Sequence, residues 1–208
     1  MPFADRKAAG QALEAALPAL DPMQTVVIAL PRGGVPVAAP ICAARGLPLD
    51  LVLVRKIGLP DQPELAVGAI VEGDPPMFEI NAGVALMAGL SAPQVEKMGR
   101  ALLPEIRRRR AAWLGDGARP DLKGPDLKGK VLVVVDDGAA TGATLGASLA
   151  ALRAQGPARI IVALPIAPAD TLRRLRALSD EVICLEVPQP FHAVGQGYRD
   201  FGQVSTPR

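Results

Sequence analysis

Residues 131–145 read VLVVVDDGAATGATL. An apolar run delivers two adjacent acids, Asp136 and Asp137. Gly138, Ala139, Ala140, Thr141, Gly142, Ala143 and Thr144 follow, before an apolar helical pattern resumes. The β-branched run predicts a buried strand, which places the acids at its carboxyl end. Small residues let backbone amides close around an anion, and a helix start offers unpaired N–H groups and a positive dipole end. Thr141 and Thr144 add hydroxyl donors. The acids repel a phosphate; they suit neutral hydroxyls, such as a ribose diol, or a metal ion. A sugar diol and a terminal phosphate on one loop describe a phosphorylated ribose. The segment is not a Walker A loop, because the Gly-Lys-Ser/Thr ending is missing, and GxGxxG is absent from the chain.

Elements that could position such a loop recur along the chain. Residues 4–17 predict a short amphipathic helix with Ala8, Ala12, Leu13 and Leu17 on one face. Residues 25–30, TVVIAL, predict a buried strand, followed by Gly33 and Gly34 and a helix that ends near Gly46. Pro40 is expected to kink or limit that helix. Residues 49–57, LDLVLVRKI, predict a second strand, which completes a right-handed βαβ unit. The stretch 58–90 is rich in Pro and Gly and predicts loops with short strands, one at Ala69–Glu72. Ser91-Ala-Pro-Gln94 has the form of a capping box. The helix after it carries Val95, Met98, Leu102 and Ile106 as an apolar stripe, interrupted at Pro104. Arg107–Arg110 reads as a solvated helix end rather than a nucleic-acid contact. PDLKG occurs twice in tandem over 120–129, a small duplication in a surface loop. Strand, helix, strand, helix and strand then alternate to residue 187. The fold class expected is α/β, with about five parallel strands flanked by helices and an irregular or helical middle insert.

Composition agrees with that class. Half of the 208 residues are apolar and only 3% are aromatic, so Ala, Val, Leu and Ile build the core. A net charge of +2 lacks the basic excess of a nucleic-acid binder. Two distant cysteines, Cys42 and Cys184, predict neither a disulfide framework nor a zinc site. No run of about 20 apolar residues suggests a membrane span. The N-terminal residues lack a signal-peptide pattern. The expectation is a soluble, cytoplasmic protein.

The 131–145 segment resembles the phosphoribosyl-pyrophosphate motif of type I phosphoribosyltransferases: apolar residues, two acids, a small-residue spacer and Thr-Gly-x-Thr. The wider chain is similar to a bacterial family of phosphoribosyltransferases of unassigned acceptor. ALPRGGVPVA, VRKIGLPDQPELAVGAIVEG, VDDGAATGATL and PFHAVGQGYRDFGQV carry that likeness, in order. The resemblance implies one phosphoribosyltransferase domain over 1–208, with an insert at 58–128 and a tail at 188–208. It implies that Asp136 and Asp137 hold ribose hydroxyls, and that residues 138–144 wrap the 5-phosphate. Pro31, Arg32, Gly33 and Gly34 match the loop that receives pyrophosphate. Two glycines there expose amides, and Arg32 adds a forked cation. Relatives often hold a non-proline cis peptide in that loop, here between Pro31 and Arg32.

Residues 55–72 resemble the segment that closes over such sites, with Arg55, Lys56 and Glu64 as its candidate functional groups. Magnesium is the implied cofactor, held mainly by ligand oxygens and water rather than directly by protein. The implied partners are phosphoribosyl pyrophosphate and an unidentified nitrogenous acceptor, with a homodimer possible and neither nucleic acid nor membrane expected. Ala140 stands where purine-salvage relatives for six-oxo bases carry Asp. That departure argues against a hypoxanthine–guanine enzyme and resembles the adenine type. The lone His192 lies near Phe191, Tyr198 and Phe201, a cluster that could stack on an acceptor ring or pack the tail. A non-catalytic regulator that binds phosphoribosyl pyrophosphate is the competing reading.

Overall fold

The computed structural model of the chain describes residues 2–73, 75–114 and 127–204. Numbered along the chain, the elements begin with α1 (Arg6–Ala16), β1 (Thr25–Ala29), α2 (Gly34–Arg45), β2 (Leu49–Leu51), β3 (Val54–Leu59), β4 (Gln62–Val71) and β5 (Met77–Ile80). They continue with α3 (Ala82–Met87), α4 (Ala92–Arg100), α5 (Leu103–Leu114), β6 (Val131–Val135), α6 (Ala143–Arg153), β7 (Arg159–Ile166), α7 (Ala169–Arg176) and β8 (Glu181–Glu186). A 3-10 turn, Val194–Gly197, follows. These elements form two compact units, one of residues 1–52 with 124–205 and one of residues 53–123 with 206–208.

The first unit is built on a five-stranded sheet in the order β2-β1-β6-β7-β8, every pair parallel. Parallel strands covered on both faces are continuously apolar, and β1, β6 and β7 are buried almost throughout. The expected α/β architecture, about five parallel strands flanked by helices, is therefore the one observed. From β1 the chain passes outward to β2; from β6 it passes the other way, to β7 and β8. That reversal lies between the adjacent strands β1 and β6, and ligands of open parallel sheets bind beyond the strand ends at such a point.

Helix α1 packs on α2 at a glycine. A Cβ on Gly10 would lie 2.2 Å from the carbonyl oxygen of Val37. The buried face of α1 therefore centres on Ala9, Gly10 and Leu13, not on Ala8 and Ala12 as the sequence suggested. Pro40 does not limit α2, which runs on to Arg45 and closes at Gly46 with φ 63°. Packing of α2 on α1, β1 and β6 outweighs the single hydrogen bond lost at the proline. Cys42 on α2 and Cys184 on β8 are half-buried free thiols, each pushed up to about 11 by burial. Both are poor nucleophiles at neutral pH, as their apolar sequence context suggested.

The second unit departs most from expectation. The run 49–57 is not one strand. It breaks at Val52–Leu53, with β2 in the parallel sheet and β3 in an antiparallel sheet of order β3-β4-β5. The stretch expected to be mostly loop holds the ten-residue β4, paired with β3 and β5. Ile57, Val67, Ile70, Val95 and Ile106 form a core beneath that sheet. The apolar periodicity of β4 is diluted by Pro63, Gly68 and small residues, which hides a strand from a pattern search. The box at Ser91 is present, with its amide donating to Gln94 Oε1 at 2.8 Å. The α4–α5 break falls before Pro104, whose missing N–H cannot serve the carbonyl of Arg100. The arginine run lies in the middle of α5 rather than at its end, and Arg107, Arg108 and Arg109 are exposed, as a solvated face should be. Arg109 pairs with Glu105 at 2.9 Å, and Arg110 is largely buried against Glu72 at 3.2 Å. Most of the PDLKG repeat, residues 120–126, lies outside the described residues.

Candidate functional site

Two loops leave the carboxyl ends of β1 and β6 side by side. The Leu30 amide extends the pairing by donating to the Val135 carbonyl at 3.0 Å, and the Gly34 amide turns back onto the Leu30 carbonyl at 2.9 Å. Between them the Pro31–Arg32 peptide is cis, as the resemblance implied. A Cβ on Gly33 would lie 2.0 Å from Asp137 Oδ2, and one on Gly34 would lie 2.5 Å from the Val135 carbonyl oxygen. No other residue type permits this approach. The Arg32 side chain is exposed.

Asp136 and Asp137 stand at the end of β6. The Asp137 amide donates to Asp136 Oδ1 at 2.8 Å, which fixes that carboxylate. Burial first, and then the neighbouring charge of Asp137, hold the Asp136 carboxyl well above the usual carboxylate range. Arg6 Nε donates to Asp137 Oδ2 at 2.8 Å from the first turn of α1. The Tyr198 hydroxyl donates to the Asp137 carbonyl oxygen, and burial, reinforced by Asp137, raises that phenol.

The loop after the acids is shaped by close contacts. Gly138 has φ 151°, and a Cβ there would lie 2.5 Å from Val194 Cγ1. The Ala139 amide donates to the Ile166 carbonyl at 3.1 Å. Gly142 turns the chain into α6 with φ 68°. Two carbonyls of the loop are drawn back toward α7. Thr171 Oγ1 donates to the Ala140 carbonyl at 2.6 Å, and Arg174 donates to the Thr141 carbonyl. The amides of Ala140, Thr141, Gly142 and Thr144 have no protein acceptor among the described residues. Ala140, Thr141, Ala143 and Thr144 are exposed. Free amides at a helix N-terminus, beside exposed hydroxyls, have the chemistry to accept an anion.

The first unit thus brings Pro31–Gly34, Asp136, Asp137 and residues 138–144 to one end of its sheet. Lys56 and Glu64 belong to the second unit, both exposed, on β3 and β4. Arg55 is engaged there with both carboxylate oxygens of Glu105, at 2.9 and 3.0 Å. In the tail, Tyr198 is buried and stacks on the exposed Phe201 with ring centroids 4.9 Å apart. His192 is exposed. Sequence reading missed Arg6, Thr171 and Arg174. Arg6 and Asp137 are 131 residues apart, with no periodicity linking them. Thr171 and Arg174 were legible only as the i, i+3 pair of an ordinary helix. Among the described residues no cluster of three or more His, Cys, Asp or Glu side chains is arranged to hold a metal.

A family model for the phosphoribosyl transferase domain matches residues 6–200. Two curated relatives from Mycobacterium tuberculosis, strains CDC 1551 / Oshkosh and ATCC 25618 / H37Rv, are named as phosphoribosyl transferases. Each is 42% identical over 206 residues, 98% of this chain and 44% of its own length. The chain therefore spans less than half the length of these relatives. The crystal structure of TT1426 from Thermus thermophilus is similar at a TM-score of 0.78 and 38% identity, covering 99% of this chain and 94% of that one. AQ2163 from Aquifex aeolicus shares the fold at a TM-score of 0.51 and 13% identity, covering 88% of this chain and 74% of that one.

The raised Asp136 carboxyl has a consequence for stability. The folded state binds this proton more tightly than the unfolded chain does. Stability from the group is present below its unfolded value of 3.8 and is lost as pH rises through the folded value. Asp136→Asn keeps the acceptor for the Asp137 amide and removes the charge. Without ligand it should melt above the wild type at pH 8, with the gain shrinking toward pH 4. A thermal melt series across that range checks this; a gain independent of pH, or a loss at pH 8, contradicts it.

Proposed function

Because the chain belongs to the phosphoribosyl transferase domain family, we propose that it transfers the 5-phosphoribosyl group of phosphoribosyl pyrophosphate to a nitrogenous acceptor and releases pyrophosphate. The observation that carries this reading is the run of free amides at the start of α6 directly after two strand-end acids, one strand away from the Gly33–Gly34 loop.

In this reading residues 138–144 seat the 5-phosphate. Their amides donate, and Thr141 and Thr144 add hydroxyls. Asp136 and Asp137 accept from the ribose 2- and 3-hydroxyls, which a phosphate-binding loop alone cannot orient. Pro31–Gly34 receives the pyrophosphate, with the Gly33 and Gly34 backbone approaching closely and the Arg32 guanidinium as a fixed cation. Displacement at the anomeric carbon then proceeds with inversion through an oxocarbenium-like state. The protein's part is mainly to position the two ends and stabilise departing charge.

Magnesium fits this donor set. Among the described residues no cluster of three or more ligating side chains stands beside Asp136 and Asp137, so an ion there would be held mainly by ligand oxygens and water and would neutralise charge on the leaving group. Lys56 and Glu64 lie on the proposed closing segment. Ligand should slow amide exchange over residues 58–68, and unchanged exchange at saturation would remove the lid role. Ala140 leaves the loop without the acid of the six-oxo purine enzymes, which favours acceptors of the adenine type or small amines.

The test has two arms. Magnesium-dependent pyrophosphate release is followed across a panel of nucleobases and small amines, and one acceptor should stimulate it. Binding of phosphoribosyl pyrophosphate with no release on any acceptor would favour a regulator. In the second arm, Asp136→Asn/Asp137→Asn should weaken phosphoribosyl pyrophosphate at least tenfold, since hydrogen bonds to charged groups are worth about 1.5–3 kcal/mol each. Free pyrophosphate should be affected much less. Calorimetry on the folded double variant decides it; unchanged affinity for both ligands defeats the diol assignment.

A further inference from the structure

We infer that Arg6 is a positioning residue for the phosphoribosyl site, holding the Asp137 carboxylate in place against the Gly33 loop. This rests on the phosphoribosyl reading of the preceding section and adds a residue that the motifs do not contain.

The contact is built from several directions. Asp5 caps α1 by accepting from the Ala8 amide at 2.7 Å, so Arg6 leaves the first helical position with a fixed backbone. Its Nε donates to Asp137 Oδ2, and its Nη1 donates to the Gly202 carbonyl at 2.8 Å. The guanidinium carbon lies 3.9 Å from the Phe201 ring centroid and 6.0 Å from that of Tyr198. Chain segments from both ends of the described residues are tied together around it. The Phe3 amide donates to the Gly197 carbonyl, the Arg199 amide to the Phe3 carbonyl and the Asp200 amide to the Ala4 carbonyl. Arg6 and Asp137 side chains are only 13% and 15% exposed, so water screens the pair weakly.

Geometry gives the pair its role. Asp137 Oδ2, the oxygen that Arg6 holds, is the atom lying 2.0 Å from where a Gly33 Cβ would be. Asp137 is therefore pinned between Arg6 and the pyrophosphate loop. Asp136 and Asp137 are adjacent like charges, and Arg6 is the cation that faces them. Removing its charge should let Asp137 swing off Gly33 and leave two carboxylates opposed at the sugar end of the site. A tether that merely fastened the termini would need the packing on Phe201 but not the charge.

The experiment measures affinity for phosphoribosyl pyrophosphate with magnesium by calorimetry, and thermal stability without ligand, on Arg6→Met, Arg6→Lys and Phe201→Leu. Arg6→Met should bind at least tenfold more weakly than wild type. Arg6→Lys, which restores the charge, should recover to within about threefold of wild type. Phe201→Leu should lower the melting temperature more than the affinity. If Arg6→Met does not fold, Arg6→Gln, which keeps a donor without charge, takes its place under the same criteria. Wild-type affinity in the folded uncharged variant overturns the proposal, and so does a lysine variant as weak as the methionine one. A wild-type protein that binds no phosphoribosyl pyrophosphate overturns the phosphoribosyl reading, and this proposal with it.

Discussion

Two glycines decide how close the first loop comes to the second. Gly33 and Gly34 sit where any side chain would strike the Asp137 carboxylate or the Val135 carbonyl. That approach needs β1 and β6 to be neighbours, which the order β2-β1-β6-β7-β8 provides at its single reversal. The hydrogen bond from Leu30 to Val135 carries the parallel pairing one residue past β1 and sets the height at which the loop turns. Sheet order, register and the missing side chains act together. If any of them changed, the loop after β6 and the Arg32 loop would no longer open at one place.

Electrostatics at that place is a balance rather than a surplus of one sign. Adjacent carboxylates at the end of a buried strand oppose each other, and desolvation adds to the cost. The structure offsets this with the Asp137 amide on one acid and Arg6 on the other. Beyond the acids, α7 draws the carbonyls of Ala140 and Thr141 away, so the loop presents amides at the helix start. Negative and positive potentials therefore alternate over a few residues, which matches a sugar diol next to a phosphate better than a uniformly charged ligand.

The parallel sheet was legible in the sequence because its strands are apolar runs bounded by glycine turns. The acid pair and the Thr-Gly-x-Thr loop were legible because their spacing is local. What escaped was non-local. Residues 49–57 look like one strand, yet the chain changes sheets at Val52–Leu53, and nothing in an unbroken apolar run marks that change. β4 was hidden by its glycine and proline content, although pairing on both sides holds it. Arg6 was invisible because its partner lies 131 residues away along the chain. The tail aromatics were read as either a ring-stacking face or packing, and Tyr198 is buried beside Phe3 and Phe201.

The central claim is that the loop between β6 and α6 seats a sugar phosphate. Amide chemical-shift mapping with ribose 5-phosphate tests it without magnesium, pyrophosphate or an acceptor. The amides of Ala140, Thr141, Gly142 and Thr144 should move downfield and saturate together, with smaller shifts at Asp136 and Asp137. Saturable binding that leaves those amides in place while others move, or no binding at millimolar ligand, would contradict the account.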